Sequence, residues 1–191
     1  MSSAVAAIPG PEPSTARKVA NFVAFQVTWA VAVGSAAHGA PWTAVVCVAL
    51  AVVAHVASAH DPWRESMLIG AVSLIGLGFE ALRLQLADVA YTSGQAFAFL
   101  PPLWLVTMWS LFACTLNLSL RWLRGRLAIA AALGAIGGPL AFVAGVKLGA
   151  ARFVDARSAL LSIGGGWLVL TPLLLRLAIH FDGVAIGRNE P

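Results

Sequence analysis

LAIAAALGAIGGPLAFVAGVKL, residues 127–148, holds one ionisable side chain, Lys147, and that only in its last turn. About 20 consecutive apolar residues let a helix cross the ~30 Å hydrocarbon core of a bilayer. Comparable runs lie on both sides of it, at 19–37, 41–58, 66–87, 102–120 and 159–179. In lipid a helix satisfies its own backbone polar groups, so runs of this length read as helices. The fold class that follows is all-α: a polytopic transmembrane helix bundle of about six spans over residues 19–180. A flexible tail at 1–18, rich in Pro and Ser, precedes it, and a short tail at 181–191 follows.

Composition points the same way. Of 191 residues, 60% are hydrophobic and 10% charged, against about 45–50% and about 25% in a soluble domain. The net charge of +4 would raise nucleic-acid binding in a soluble chain, but here Lys and Arg are scattered between apolar runs without a basic face. They read as anchors at the membrane surface, and no nucleic-acid partner is expected. Cys47 and Cys114 fall inside apolar runs, far from any Cys-x-x-Cys spacing, and read as reduced thiols.

Cytoplasmic loops carry an excess of Lys and Arg. An orientation with both termini inside puts Arg17, Lys18, Arg64, Arg121, Arg124, Arg126, Arg176 and Arg188 on the cytoplasmic side. Lys147, Arg152 and Arg157 then fall outside, and Arg83 lies within a span. Trp42, Tyr91 and Trp104 sit near the outer interface, and Trp63 and Trp122 near the inner one. The first run imitates a signal peptide, but Asn21 and Gln26 interrupt it and suit a packed helix better. The loop 88–101 is the longest external connection and reads as lying on the outer interface.

Without a hydrophobic force between helices in lipid, inward faces are marked by small and polar residues. Ser73, Gly76, Glu80, Arg83 and Ala87 make such a stripe in the third run. Thr107, Ser110, Cys114, Asn117 and Arg121 make one in the fourth, and Gly134, Gly138, Ala141, Gly145 and Gly149 in the fifth. A weaker stripe, Asn21, Ala24, Thr28, Ala32 and Ser35, marks the first. Runs one, three, four and five are therefore expected inside, with two and six facing lipid. The Gly-x-x-x-Gly spacings read as close helix packing, and Pro139 after Gly137-Gly138 as a kink or a short unwound turn.

Glu80, Arg83, Asn21, Gln26, Asn117 and Lys147 are the polar-cavity candidates. A lone carboxylate is costly in hydrocarbon, so Glu80 should be paired, protonated or wet. Arg83 is one turn away, and Lys147 is the candidate partner from another helix. No catalytic residue, metal site or cofactor is expected. His55 and His60 are badly spaced to face one metal with Asp61, and there is no phosphate loop, nucleophile elbow or zincin motif.

Residues 101–150 resemble a bacterial family of small multi-span inner-membrane proteins, catalogued as domain of unknown function twenty-eight seventy-eight. The resemblance rests on Pro102, Trp104, Trp109, Phe112, Thr115-Leu116, Ser119-Leu120, Trp122-Leu123, Gly134, Gly138-Pro139-Leu140, Gly145 and Lys147 to Ala150, with Asn21, Gln26 and Trp29 near the start. Glu80 stands where the family tends to have Asp. The resemblance implies a multi-pass protein of the bacterial inner membrane and assigns no site residue. The expected function is a non-enzymatic carrier or partner that holds a lipid or small amphiphile in a polar cavity faced by Glu80, Asn117 and Asn21. Its partners would be membrane lipids, and another membrane protein or a second copy. The competing classes are an intramembrane enzyme or accessory in fatty-acyl modification, and a structural subunit.

Overall fold

The computed structural model describes residues 12–184. These form six α-helices: α1 (Thr15–Ala37), α2 (Pro41–Ala57), α3 (Pro62–Leu84), α4 (Leu103–Leu116), α5 (Leu127–Leu148) and α6 (Ala156–His180). A 3₁₀ turn, Arg121–Leu123, and two short strands, β1 (Val89–Tyr91) and β2 (Ala151–Phe153), complete the order. Expectations placed on residues 1–11 and 185–191, Arg188 among them, lie outside the described residues.

The protein is all-α but for an antiparallel ribbon that pairs Val89 with Phe153 and Tyr91 with Ala151. β1 falls within the segment 88–101, which carries no strand periodicity because only three of its residues pair. α1, α3, α5 and α6 are long and apolar enough to cross a membrane. α2 and α4 have 17 and 14 residues, which at 1.5 Å per residue reach only ~26 and ~21 Å.

α4 stops at Leu116 instead of running to 120, since the Asn117 side chain and the turns after it are tied into a buried polar cluster. Asn117 and Leu118 are buried in protein, where non-helical backbone is tolerated at membrane depth. α1 begins at Thr15, inside the stretch expected to be a tail, with Ser14 Oγ accepting from Arg17 N at its start. Asp61 and Asp155 cap α3 and α6 in the same way, and Gly149, in the left-handed region at φ 92°, closes α5.

The ends of the described chain meet at one end of the bundle. Arg17 donates to Ser58 O at 2.7 Å, and Asp61 N to Gly183 O at 2.8 Å. The ribbon closes the other end, where Trp104 Nε1 donates to Ser93 O at 3.1 Å. Successive helices therefore run in alternating directions. Trp104 is buried there and is not an interfacial anchor, whereas Trp42, Trp63 and Trp122 are exposed.

α4 is central, packed by α1, α2, α3 and α6, and α5 and α6 lie along one another. The expectation that α6 faces lipid is thus corrected. Its buried side chains include Ile163, Leu174 and Leu175, apolar residues that a search for polar and small stripes passes over. α5 meets α6 through Gly134, where a β-carbon would strike Thr171 and the Trp167 carbonyl, and Gly138, where it would lie 2.5 Å from the Trp167 ring. Pro139 does not unwind α5, nor Pro172 α6, and both helices run through unbroken. Gly164 lies against Ala135 O and Pro139, so the proline ring fills a glycine notch in its neighbour.

Candidate functional site

Two buried polar clusters sit at opposite ends of α3, about 22 Å apart for the 15 residues from Glu65 to Glu80. At the chain-end side Glu65 is fully buried yet completely engaged. Its Oε2 pairs with His55 Nε2 at 2.9 Å. Its Oε1 accepts from Asn117 Nδ2 at 2.5 Å and from Gly183 N at 3.0 Å. Asn117 Nδ2 also reaches Phe181 O at 3.1 Å, and its Oδ1 accepts from Arg124. Arg121 and Arg124 both donate to Asp182 Oδ2, at 2.5 and 2.7 Å. The cluster ties α2, α3, α4 and the segment after α6 together, and Arg124 Nε is its one orphan atom among the described residues. A buried network satisfied to this degree fixes structure and leaves little for a ligand to bind.

The ribbon-end cluster differs. Asp88 is held by Arg83 Nη1 at 3.4 Å and by Ser158 and Ser162 hydroxyls at 3.0 and 3.2 Å. Arg83 also donates to Ser162 Oγ at 2.8 Å, and its guanidinium lies 5.2 Å over the Phe142 ring. Glu80 is 2% exposed. Its Oε2 is 3.6 Å from Arg83 Nε, and neither atom has a hydrogen-bond partner. An unpaired buried polar atom calls for an occupant or a proton. Burial, and then the adjoining Glu80 carboxylate, push the Tyr91 phenol above its ordinary value, so it remains a hydrogen-bond donor beside that carboxylate.

Glu80 forms part of the wall of a cavity of about 120 Å³, otherwise lined mainly by Trp29, Tyr91, Trp104, Trp109, Phe142 and Trp167. Trp109 stacks on Trp167 at 4.9 Å, and Phe112 meets Trp167 edge-on at 5.0 Å. Gly76 leaves room for the Trp109 ring. A second cavity of about 470 Å³ shares Phe25, Trp29, Phe112, Ala141 and Trp167 with the first, so the two adjoin across these side chains. It runs toward the chain-end side past Gln26, Leu133, Gly137 and Leu140. α1 and α5 come together near the ribbon, where Val33 approaches Gly145 and Ala37 approaches Gly149, and make few contacts elsewhere. The larger cavity lies where they part, with Leu133 and Leu140 exposed at its rim. Two further orphans, Trp167 Nε1 and Thr171 Oγ1, belong to residues of this lining.

The candidate residues do not converge on one cavity. Glu80 and Arg83 are together. Asn117 belongs to the Glu65 cluster. Asn21 bridges α1 to α4, donating to Cys114 O at 3.1 Å and accepting from Ser119 Oγ at 2.8 Å; it lines a separate groove with Arg17 and His55. Gln26 is exposed at the rim of the large cavity. Lys147 is exposed rather than opposite Glu80, because it sits on the face of α5 away from the bundle. Gly134 and Gly138 are packing sites, Pro139 meets α6, Gly145 only grazes α1, and Gly149 is an exposed helix cap.

Glu65 is not among the residues that the sequence pattern singles out, although a signal for it exists. Glu65, Ile69, Val72, Gly76, Glu80 and Arg83 follow one 3–4 spacing, which carries the inward stripe of α3 back to its first turn. An acid in a first helical turn passes as a routine complement to the helix dipole. Cys47 and Cys114 are free. Among the described residues no three His, Cys, Asp or Glu side chains are grouped to hold a metal.

The family described as a protein of unknown function (DUF2878) matches residues 18–173 of this chain. No curated protein and no solved structure matches it.

Proposed function

The chain belongs to this family of proteins of unknown function, and from the geometry of its cleft we propose that it is a non-enzymatic membrane carrier or binding partner for a lipid or other small amphiphile. The polar end of the ligand lies at Glu80, and its apolar tail follows the cleft between α1 and α5. One observation carries this reading: Glu80, whose Oε2 is buried without a hydrogen-bond partner, lines an otherwise apolar cavity that adjoins the cleft. The cleft, at about 470 Å³, falls within the range of about 300–1,000 Å³ usual for ligand cavities, which are mostly apolar with a few polar groups. The ribbon end faces outward and the Glu65 cluster faces the cytoplasm, in keeping with the Arg121, Arg124 and Arg126 cluster beside it. The membrane is the bacterial inner membrane.

Purification in a mild non-ionic detergent, followed by mass spectrometry of co-purified small molecules, tests the reading. Ala141 is exposed within the cleft and lines both cavities, so Ala141→Trp should block it while leaving the Glu65 cluster untouched. The wild-type protein should carry a stoichiometric amphiphile that this variant lacks, at unchanged helical circular dichroism. An equal lipid complement in the two proteins would defeat the proposal.

A further inference from the structure

We infer that the ligand's polar head is a quaternary or alkylated ammonium cation. This rests on the amphiphile-binding reading above and specifies which amphiphile the cavity takes.

The first ground is charge. Glu80 and Asp88 are both about 98% buried, and one guanidinium, that of Arg83, faces the two of them. Lys147, Arg152 and Arg157, the other cations on neighbouring elements at this end, are exposed. Of the two acids Asp88 is the satisfied one, with Arg83, Ser158 and Ser162 around it. With both acids ionised Arg83 balances one charge of the two, and the acid left short of hydrogen bonds is Glu80, which pairs with Arg83 Nε at 3.6 Å and lines the cavity.

The second ground is the wall. The groups facing Glu80 from other elements are Tyr91 of β1 and Trp109 of α4, and the rest of the lining is largely aromatic. Aromatic rings attract cations through their quadrupoles, and cages of them are the recurrent receptor for alkylated ammonium groups. This wall already accepts a cation, since the Arg83 guanidinium lies over Phe142 at 5.2 Å.

The third ground excludes the simpler cations. Mg²⁺ and Ca²⁺ need about six to eight oxygen ligands, and here a carboxylate and a phenol stand among indoles and aliphatic side chains. An ammonium clothed in methyl or methylene groups needs one counter-charge and an apolar shell, which is what the cavity supplies. The adjoining cleft then takes the chain attached to it.

The test is a binding titration of the purified full chain in non-ionic detergent, read by intrinsic tryptophan fluorescence. Three ligands with the same ten-carbon tail are compared below their aggregation limits: decyltrimethylammonium, its neutral carbon isostere ending in a tert-butyl group, and decyl sulfate. The wild type should bind the ammonium at least ten-fold more tightly than either of the others. Glu80→Gln should erase that preference and Glu80→Asp should keep most of it. Should Glu80→Gln fail to fold, the ranking of the three ligands by the wild type alone decides the matter. Equal binding of all three overturns the ammonium assignment and leaves an amphiphile site that reads the tail. Tighter binding of the sulfate also overturns it and makes Arg83 the head-group contact. If none of the three binds to the wild type and no amphiphile co-purifies with it, the cleft is not a ligand site and both proposals fall.

Discussion

Gly137 and Gly138 are adjacent in α5, yet the structure gives them opposite roles. Gly138 is buried, and a β-carbon there would lie 2.5 Å from both Cγ and Cδ1 of Trp167 and 3.1 Å from its Cβ. Ordinary contact begins at 3.4 Å, so Gly138→Ala requires the ring or the helix to retreat by about 0.9 Å. The ring cannot swing away freely, because it is stacked on Trp109 at 4.9 Å and meets Phe112 edge-on at 5.0 Å. Overpacking of this kind costs about 1–3 kcal/mol. At Gly137 nothing lies within 4 Å of the added carbon, and the helical backbone suits alanine. Gly137→Ala should therefore stabilise by about 0.4–1 kcal/mol through the unfolded chain. The two variants should differ by at least about 1.4 kcal/mol, the sum of the two lower bounds. Thermal unfolding in a non-ionic detergent, followed by far-UV circular dichroism, measures the gap. Near-UV circular dichroism should report disturbed tryptophan packing in Gly138→Ala alone. Equal melting temperatures, or the lower one belonging to Gly137→Ala, would refute close packing of α5 on α6 through Gly138 and Trp167.

Asn117→Ala removes two hydrogen bonds to Glu65 and Phe181 and one from Arg124, and should lose about 3 kcal/mol in detergent unfolding, since bonds to charged groups contribute about 1.5–3 kcal/mol each. Asn117→Asp should fare worse, because it sets a second carboxylate against Glu65; the amount of folded protein recovered from membranes measures this. Ser110→Ala loses a 2.7 Å bond to Ser73 between α4 and α3 and should cost under about 1 kcal/mol, the usual scale for such bonds in membranes. The Lys18 hydrogen bond, and then the Arg121 contact, hold the Glu12 carboxyl below the usual carboxylate range. With the folded value depressed, its stabilisation is present above the unfolded value near about 4.3 and is lost as pH falls below it. Glu12 is 67% exposed, so Glu12→Gln should flatten the acid limb of a stability–pH curve by less than about 1 kcal/mol. For sidedness, a single Ala96→Cys in a chain lacking Cys47 and Cys114 should react with an impermeant maleimide on intact cells, and Arg64→Cys only after rupture; the reverse pattern would invert the orientation.

The helices are legible in the sequence because their cause is local. An apolar run of bilayer length declares itself, although α3 and α6 begin at Pro62 and Ala156, ahead of the apolar runs at 66 and 159, because Asp61 and Asp155 cap them there. The Glu80–Arg83 pair is legible because residues three apart on a helix are always neighbours. What the sequence hides depends on contacts between distant residues. The ribbon pairs Val89 with Phe153, and neither segment shows strand character alone. α6 reads as lipid-facing because its largest inward side chains are Ile163, Leu174 and Leu175, and the small or polar ones among them, Ala159, Thr171 and Ala178, are too widely spaced to form a stripe. Asn117 and Asn21 are polar residues with partners close at hand, so their polarity marks helix joints and not a shared chamber.

Glu65 and Glu80 give the comparison from which the site follows. They share a helix and a face, both are buried, and nothing in their residue type distinguishes them. Glu65 sits where α2, α4 and the segment after α6 each bring a donor, so both its oxygens are satisfied and its charge is tied into a joint. Glu80 sits where α1, α4, α5, α6 and β1 bring aromatic rings, and the one guanidinium nearby, 3.6 Å away, is shared with Asp88 and Ser162. Removing Glu65 should therefore damage the fold, because it leaves Asn117, His55 and Gly183 N without their acceptor. Replacing Glu80 with Gln should damage the fold far less, since no hydrogen bond to its Oε2 is lost, and should act on what the cavity holds. A double comparison of Glu65→Gln and Glu80→Gln by unfolding and by co-purified ligand should thus separate the two carboxylates, the first losing stability and the second its ligand. If Glu80→Gln instead collapses expression and Arg83→Gln restores it, the pair is a structural ion pair and the cavity's polar end must be sought elsewhere along the cleft, at Trp167 and Thr171.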